Sequence, residues 1–204
     1  MDPLDSLWTQ VPQDPTGDTV GDPENDWPFM ARTIMGETAT SVALEALDAA
    51  IARLKGLDRP DLRPAFAALV EGTWWVAAID ERLLKGFGGV RSARSGFYCA
   101  ARDVAEHGKY VRGFLWARDR HTHQLPFSMD HDDTPFFGGK DSFLYISAGL
   151  IWRPSEELFE PSESRSKIGW KTTYEELLAG KSAWKTLSRC SRWYHQMAGH
   201  DPAE

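Results

Sequence analysis

The stretch that decides the fold runs from residue 62 to residue 84 and reads LRPAFAALVEGTWWVAAIDERLL. Its apolar residues cover much of the circumference of a helix, which is typical of a helix inside a bundle. The glycine-rich segment 86–89 follows it and is expected to end the helix. We expect the adjacent Trp74 and Trp75 in the core, because large aromatic residues in a buried helix are far more often core residues than ligand platforms.

Two further runs with helical spacing lie on either side of this stretch. From Thr38 to Leu57 apolar residues recur near every third or fourth position, and Gly56 is suited to end the run. A third run, from Ser95 to about Gln124, carries an apolar stripe at the same spacing, and the stripe continues into Arg118. Three consecutive helices with short connections that contain Gly or Pro predict an antiparallel bundle over residues 37–125.

The rest of the chain predicts a small β element and two short helices. Residues 126–170 are expected to form an irregular loop followed by one or two short strands between Phe143 and Trp152, where branched and aromatic residues concentrate. Residues 172–198 predict C-terminal helices, with Thr172 and Glu175 at the spacing of a capping box. The predicted fold class is therefore mainly α: an antiparallel helical bundle with a small β element and C-terminal helices.

Charge is distributed unevenly along the chain, whose net charge is −7. Residues 1–28 hold seven acidic side chains and no Lys or Arg, and the remaining 23 acidic side chains balance the 23 basic ones. Because residues 1–30 are rich in Pro and Asp and poor in apolar surface, they predict a disordered acidic tail before a single domain at 31–204. A neutral domain allows a local basic patch but offers no broad electrostatic attraction for nucleic acid.

The sequence favours a cytoplasmic protein without membrane contact. No apolar run approaches the roughly 18 residues that a membrane-spanning helix needs, and the first residues lack the basic and apolar segments of a signal peptide. The chain has no phosphate-cradling loop motif, and the glycines at 86–89 follow a helical pattern where a dinucleotide fingerprint would follow a strand. We therefore expect no cofactor.

The residues best suited to chemistry lie between Arg118 and His123, where the chain reads RDRHTH. An arginine at a position where the spacing requires an apolar residue indicates a bundle end, a subunit interface or a cleft, because an unpaired buried guanidinium is too costly. The order of arginine, polar residue, three further residues and histidine resembles the motif of the HEPN superfamily. That resemblance implies a helical bundle, commonly dimeric, that cleaves RNA without a metal, with Arg118 and His123 as catalytic residues and Asp119 as the polar residue.

A second resemblance covers about the last half of the chain. The segments 110–124, 150–154 and 174–181 resemble an uncharacterised family of actinobacteria and their phages. This resemblance implies shared ancestry and a prokaryotic or phage origin, and it implies no particular activity.

The chemistry of the arginine and histidine suits RNA cleavage of a toxin or defence type. A neutral imidazole of His123 would accept the 2′-hydroxyl proton as general base, and the planar guanidinium of Arg118 would bind the phosphate. On an ideal helix these side chains lie about 140° apart, so two copies facing each other in a homodimer would share one phosphate better than one copy alone. Arg120 and His121 are auxiliary candidates, and Asp119 is spaced to orient the imidazole.

A second hypothesis needs no catalysis. Arg and His in the last turns of a helix also complement its dipole and bind its terminal carbonyls. The chain would then be a non-catalytic helical interaction module, a phage or defence accessory protein whose Arg/His cluster binds a protein partner or an antitoxin.

A metal site is the competing chemical idea, and the sequence does not favour it. On a helix, the side chains of His121 and His123 point about 200° apart and cannot share one ion. The acidic segment that follows is more often a solvated loop than a ligand set. We therefore expect no metal, and the alternative ligands would be Asp130, His131, Asp132 and Asp133.

Overall fold

The computed structural model describes residues 23–56, 62–124, 129–131, 135–137, 144–146, 149–158 and 168–200. Within these ranges the fold is mainly α with a small β element, which confirms the predicted fold class. The helices are α1 (Pro23–Gly36), α2 (Thr38–Lys55), α3 (Leu62–Gly86), α4 (Ala93–Val104), α5 (Val111–Gln124), α6 (Ile168–Leu177) and α7 (Ala183–Met197). The strands are β1 (Met129–His131), β2 (Pro135–Phe137), β3 (Leu144–Ile146) and β4 (Leu150–Trp152), and two 3-10 turns cover Gly108–Tyr110 and Ser155–Glu157.

Helix α3 lies at the centre of the bundle and packs against α1, α2, α5 and α7. It buries Leu69, Val76 and Leu83 completely. The prediction for its tryptophans is correct in part: Trp75 packs against the core, but 48% of Trp74 is exposed. Trp74 lies two residues before the buried Val76. Two residues correspond to a rotation of about 200° around a helix, so Trp74 points away from the buried face.

The predicted disordered tail extends too far. Residues 1–22 lie outside the described ranges, but helix α1 already begins at Pro23, so the prediction is wrong for residues 23–30. The helix is held by Ala31, Ile34 and Met35, which follow helical spacing and are buried in the core. A proline at the first helical position costs little, because the N–H that it lacks would have no partner within the helix.

The single long helix predicted for residues 95–124 is wrong, because the chain breaks after α4. Ala105 adopts an extended conformation with ψ 142°, and the turn at Gly108–Tyr110 leads into α5. At Gly108 a Cβ atom would lie 2.5 Å from the carbonyl oxygen of Arg102, so the two segments approach more closely than a side chain allows. Arg118 therefore belongs to a separate helix, and the apolar stripe before it is shared between two helices.

The C-terminal half confirms the predicted strands and corrects two details. The strands expected between residues 143 and 152 are β3 and β4, but the loop expected before them also contains β1 and β2, which pair antiparallel with β4 and β3. The pairing of β1 with β4 spans the intervening β2 and β3, so local composition does not show it. Helix α6 begins at Ile168, so Thr172 and Glu175 lie inside it, and Glu175 accepts a hydrogen bond from the Ser155 amide at 2.7 Å.

None of the helices that the structure describes carries an apolar stretch sufficient to cross a membrane.

Candidate functional site

Helix α5 positions the predicted catalytic arginine at the surface. Its first half is buried, and the side chains of Phe114, Trp116 and Ala117 are completely inaccessible to solvent. Arg118 follows these residues, and 31% of its side chain is exposed. Arg118 therefore lies where the apolar stripe of α5 reaches the surface. A partly exposed position of this kind was expected for an arginine on that stripe.

Arg118 lies against a neighbouring helix rather than in open solvent. Its guanidinium carbon is 5.8 Å from the ring centre of Trp74 on α3, within the range of a cation–π contact. The same face of α3 carries Glu81, whose pKa is lowered first by its hydrogen bond and ion pair with Lys85 and further by the charge of Arg118. Arg118 and Trp74 together form a surface pair of a cation and an exposed aromatic ring, which we call the Arg118–Trp74 pair.

The other predicted site residues on α5 are placed differently. Asp119 is mostly buried and accepts a hydrogen bond of 3.3 Å from Arg118, so it holds the guanidinium. Arg120 is only 4% exposed, and its guanidinium carbon lies 4.5 Å from the ring centre of Trp116. Arg120 is thus a packing residue that presents little surface to a substrate. The backbone of His121 and His123 lies in α5, and their side chains fall outside the described part of the chain.

The alternative metal ligands lie beyond α5. Asp130 on β1 is exposed and lies 3.4 Å from the guanidinium of Arg153, so its carboxylate already faces a cation. The side chain of His131 and the whole of Asp132 and Asp133 fall outside the described residues. Among the side chains that are described, no three His, Cys, Asp or Glu groups lie together as a metal site requires.

The sequence reasoning missed a buried ionic cluster between α3 and α4. Asp80 and Arg102 are 2% and 4% exposed, and Nη1 of Arg102 donates to both carboxylate oxygens of Asp80 at 3.0 and 2.9 Å. The hydroxyl of Tyr98 donates to the same carboxylate at 2.6 Å. Burial, the largest single influence, lowers the pKa of Arg102, but the charges of Asp80, Tyr98 and Asp103 together raise it well above its usual value. Burial first, and then Asp80, raises the pKa of Tyr98.

This cluster stabilises the fold rather than acting on a substrate. Its charged groups are enclosed by core side chains, and a buried carboxylate with two strong donors is fully paired. The available signal in the sequence was Asp80 itself, an aspartate between the apolar Ile79 and Leu83 of the central helix.

A second polar cluster joins α2 to α7 near the surface. The hydroxyl of Ser191 donates to Asp48 at 2.5 Å, and Nε2 of His195 lies 2.8 Å from the other Asp48 oxygen. Partial burial opposes the charge of Asp48, but the hydrogen bonds from His195 and Ser191 outweigh it and lower the pKa of Asp48. The serine is bonded to the carboxylate and not to the imidazole, so this is not the arrangement of an activated nucleophile.

Asp48→Asn is expected to reduce stability near neutral pH and to matter less in acid. A carboxylate whose pKa is lowered by folding contributes stability above its unfolded pKa of about 3.9, and the contribution is lost as pH falls through the folded value. Because Asp48 is nearly half exposed, the effect should stay below about 1 kcal/mol. Urea unfolding at pH 7 and at pH 3 measures it, and the exposed Glu45→Gln on the same helix is the control. If Asp48→Asn lowered the free energy of unfolding equally at pH 7 and pH 3, the lowered pKa of Asp48 would not explain its contribution to stability.

Comparison of the whole chain with protein-family models, with curated proteins and with solved structures found no match. The similarity of Arg118 and His123 to the HEPN motif therefore stays a prediction.

Proposed function

We propose that this protein binds RNA and cleaves it without a metal at the C-terminal end of α5, with Arg118 holding the phosphate and His123 as general base. The observation that carries the proposal is the Arg118–Trp74 pair, a partly exposed guanidinium beside an indole that is 48% exposed. RNA presents phosphates and flat base faces, and an adjacent guanidinium and aromatic ring match both.

The neighbourhood of the pair supports a defined position for the phosphate. The carboxylate of Asp119 and the ring of Trp74 together fix the guanidinium of Arg118, so little side-chain freedom is lost when an anion binds. Asp119 also offsets part of the positive charge, so we expect moderate affinity that weakens with salt.

A dimer would complete the site. His123 is five positions after Arg118, which places the two side chains about 140° apart on one helix. In a homodimer, Arg118 of one copy and His123 of the other would face the same phosphate. Arg118→Ala mixed with His123→Ala then rebuilds one intact site in each mixed dimer, and about a quarter of the wild-type cleavage should return. Failure to regain cleavage while mixed dimers form would show that each site belongs to one copy.

The decisive measurement is cleavage of a mixed RNA pool in EDTA by the full chain. We expect products with 2′,3′-cyclic phosphate ends, because the 2′-hydroxyl is the nucleophile. His123→Ala should lose cleavage and keep RNA binding, whereas Arg118→Ala should lower both at least tenfold. Arg53→Ala is the matched control, since Arg53 is an exposed arginine that pairs with Glu71. Intact RNA after incubation with folded wild type would overturn the ribonuclease proposal.

A non-catalytic interaction module is the second candidate, and the exposure of Trp74 favours it. Tryptophan and arginine are the side chains that most often dominate binding at protein interfaces. If the protein is such a module, the wild type should leave RNA intact and should not impair growth when it is expressed. A co-purified protein partner or antitoxin should be lost on Trp74→Ala and retained by Arg53→Ala.

A further inference from the structure

An open cleft of about 560 Å³ lies on another part of the molecule. Its walls are strand β4, the 3-10 turn Gly108–Tyr110, the end of α6 and the first half of α7, and none of the described side chains of α3 or α5 lines it. The cleft is therefore formed by different elements from those that carry the Arg118–Trp74 pair. Its volume is in the range of about 300–1,000 Å³ that is usual for small-molecule sites.

Three cations converge on this cleft. Lys185 and Arg189 are four residues apart on one face of α7, and Lys181 lines the cleft from the turn just before that helix. Glu176 is the acidic side chain in the described lining, so the formal charge of the wall is positive. A positively charged wall around a concave surface concentrates anions.

Lys185 and Arg189 make contacts at the rim of the cleft. The ammonium nitrogen of Lys185 lies 5.7 Å from the ring centre of Trp184, which also lines the cleft. Nη1 of Arg189 donates to Glu106 at 3.1 Å and lies 3.3 Å from Nδ1 of His107. Glu106 is largely exposed, so this ion pair is screened by solvent and yields to a stronger anion.

The pKa of His107 is consistent with an excess of positive charge around it. Its pKa is lowered first by burial and then, against the opposing charge of Glu106, by the positive charges of Arg189, Arg192 and Lys109. The cationic surface thus extends from the cleft toward the turn that precedes α5.

The cleft also has an apolar wall. Leu150 and Ile151 of β4 and Leu177 of α6 line it together with the ring of Trp184. Leu150 is held by the pairing of β4 with β1, so this wall is part of the folded frame. A ligand that fits would combine a compact anionic group with an apolar body.

We propose that this cleft binds a small organic phosphate, a phosphate monoester whose charge lies between Lys181, Lys185 and Arg189 and whose apolar or aromatic body lies against Ile151 and Leu177. Lysine and arginine are the usual protein partners of phosphate oxygens. Two sources supply this chemistry: a free phosphorylated metabolite, or the 5′-phosphorylated end of a nucleic acid strand.

Calorimetric titration of the full chain tests the proposal with 1-naphthyl phosphate as the probe and with 1-naphthol and inorganic phosphate as its two halves. The ester should bind at least tenfold more tightly than either half. Lys181→Ala/Lys185→Ala should weaken binding of the ester at least tenfold. The matched control is Arg82→Ala/Lys85→Ala, which removes two exposed cations of α3 that do not line the cleft. Urea unfolding of both double variants confirms that each is folded.

Three results would overturn the proposal: no binding of the ester at millimolar concentration, equal binding of the ester and one of its halves, or equal binding by the wild type and Lys181→Ala/Lys185→Ala. Competition with oligonucleotides separates the two sources. Displacement of the probe by a 5′-phosphorylated strand and not by its unphosphorylated form assigns a nucleic acid end, and displacement by neither assigns a free small molecule.

Discussion

Asp80→Ala lowers the free energy of unfolding by about 3–5 kcal/mol, because it removes the buried carboxylate that binds Nη1 of Arg102 and leaves the guanidinium with Asp103 alone. Both carboxylate oxygens of Asp80 accept from Arg102, and the hydroxyl of Tyr98 depends on the same group. The Asp80 carboxylate is buried among apolar side chains, so water cannot replace it as a hydrogen-bond acceptor unless the core opens. Urea unfolding followed by circular dichroism measures the change as a shift in the midpoint.

The neighbouring residue and a double variant provide the controls for this prediction. Glu81→Ala changes an exposed side chain on the same helix and should alter stability by no more than about 0.5 kcal/mol. Asp80→Ala combined with Arg102→Met removes both charges and should cost less than Asp80→Ala alone, because no buried charge is left unpaired. If the double variant is the less stable of the two, the buried ion pair is not the cause of the loss.

Gly108→Ala is expected to destabilise the fold by about 1–3 kcal/mol. The new Cβ atom would lie 2.5 Å from the carbonyl oxygen of Arg102 and 3.0 Å from its Cα, and these are backbone atoms that cannot rotate away. On its other side it would lie 3.0 Å from the ring of Trp193, which is completely buried in α7. The substitution therefore has to separate α4 from the turn before α5, and thermal unfolding should show a lower Tm.

Gly36→Ala is the matched control, because a Cβ at Gly36 meets no atom within 4 Å. It should leave the Tm unchanged or raise it slightly, since alanine restricts the unfolded chain more than glycine does. Equal effects of Gly36→Ala and Gly108→Ala would show that the loss comes from glycine flexibility and not from the close approach at Gly108.

Local periodicity predicted those elements whose signals are continuous in sequence. The predicted bounds of α2 and α3 agree closely with Thr38–Lys55 and Leu62–Gly86, because each helix keeps one apolar pattern between glycine-containing ends. The break between α4 and α5 was missed because Val104, Gly108 and Val111 maintain helical spacing through the turn. Gly108 approaches the backbone of Arg102 on one side and Trp193 on the other, and Trp193 lies far along the chain and gives no local signal.

The same limit applies to the candidate site. The interruption of the apolar stripe correctly indicated that Arg118 leaves the core, since the charge of a guanidinium is incompatible with unpaired burial. The sequence did not indicate that Trp74 would stand beside it, because that depends on how α3 and α5 pack. The proposed phosphate cleft was also hidden, since its cations lie on α7 and in the turn before it, whereas its apolar wall comes mainly from β4 and α6.

The position of α7 at the heart of the bundle affects how the protein is made. This last helix supplies completely buried side chains, among them Leu187, Cys190, Trp193 and Tyr194. The hydroxyl of Tyr194 donates to the carbonyl of Val76, a residue 118 positions earlier. During synthesis the earlier helices therefore emerge from the ribosome with their central apolar faces still uncovered. Closure of the core must await the synthesis of α7, and until then the uncovered apolar faces favour aggregation.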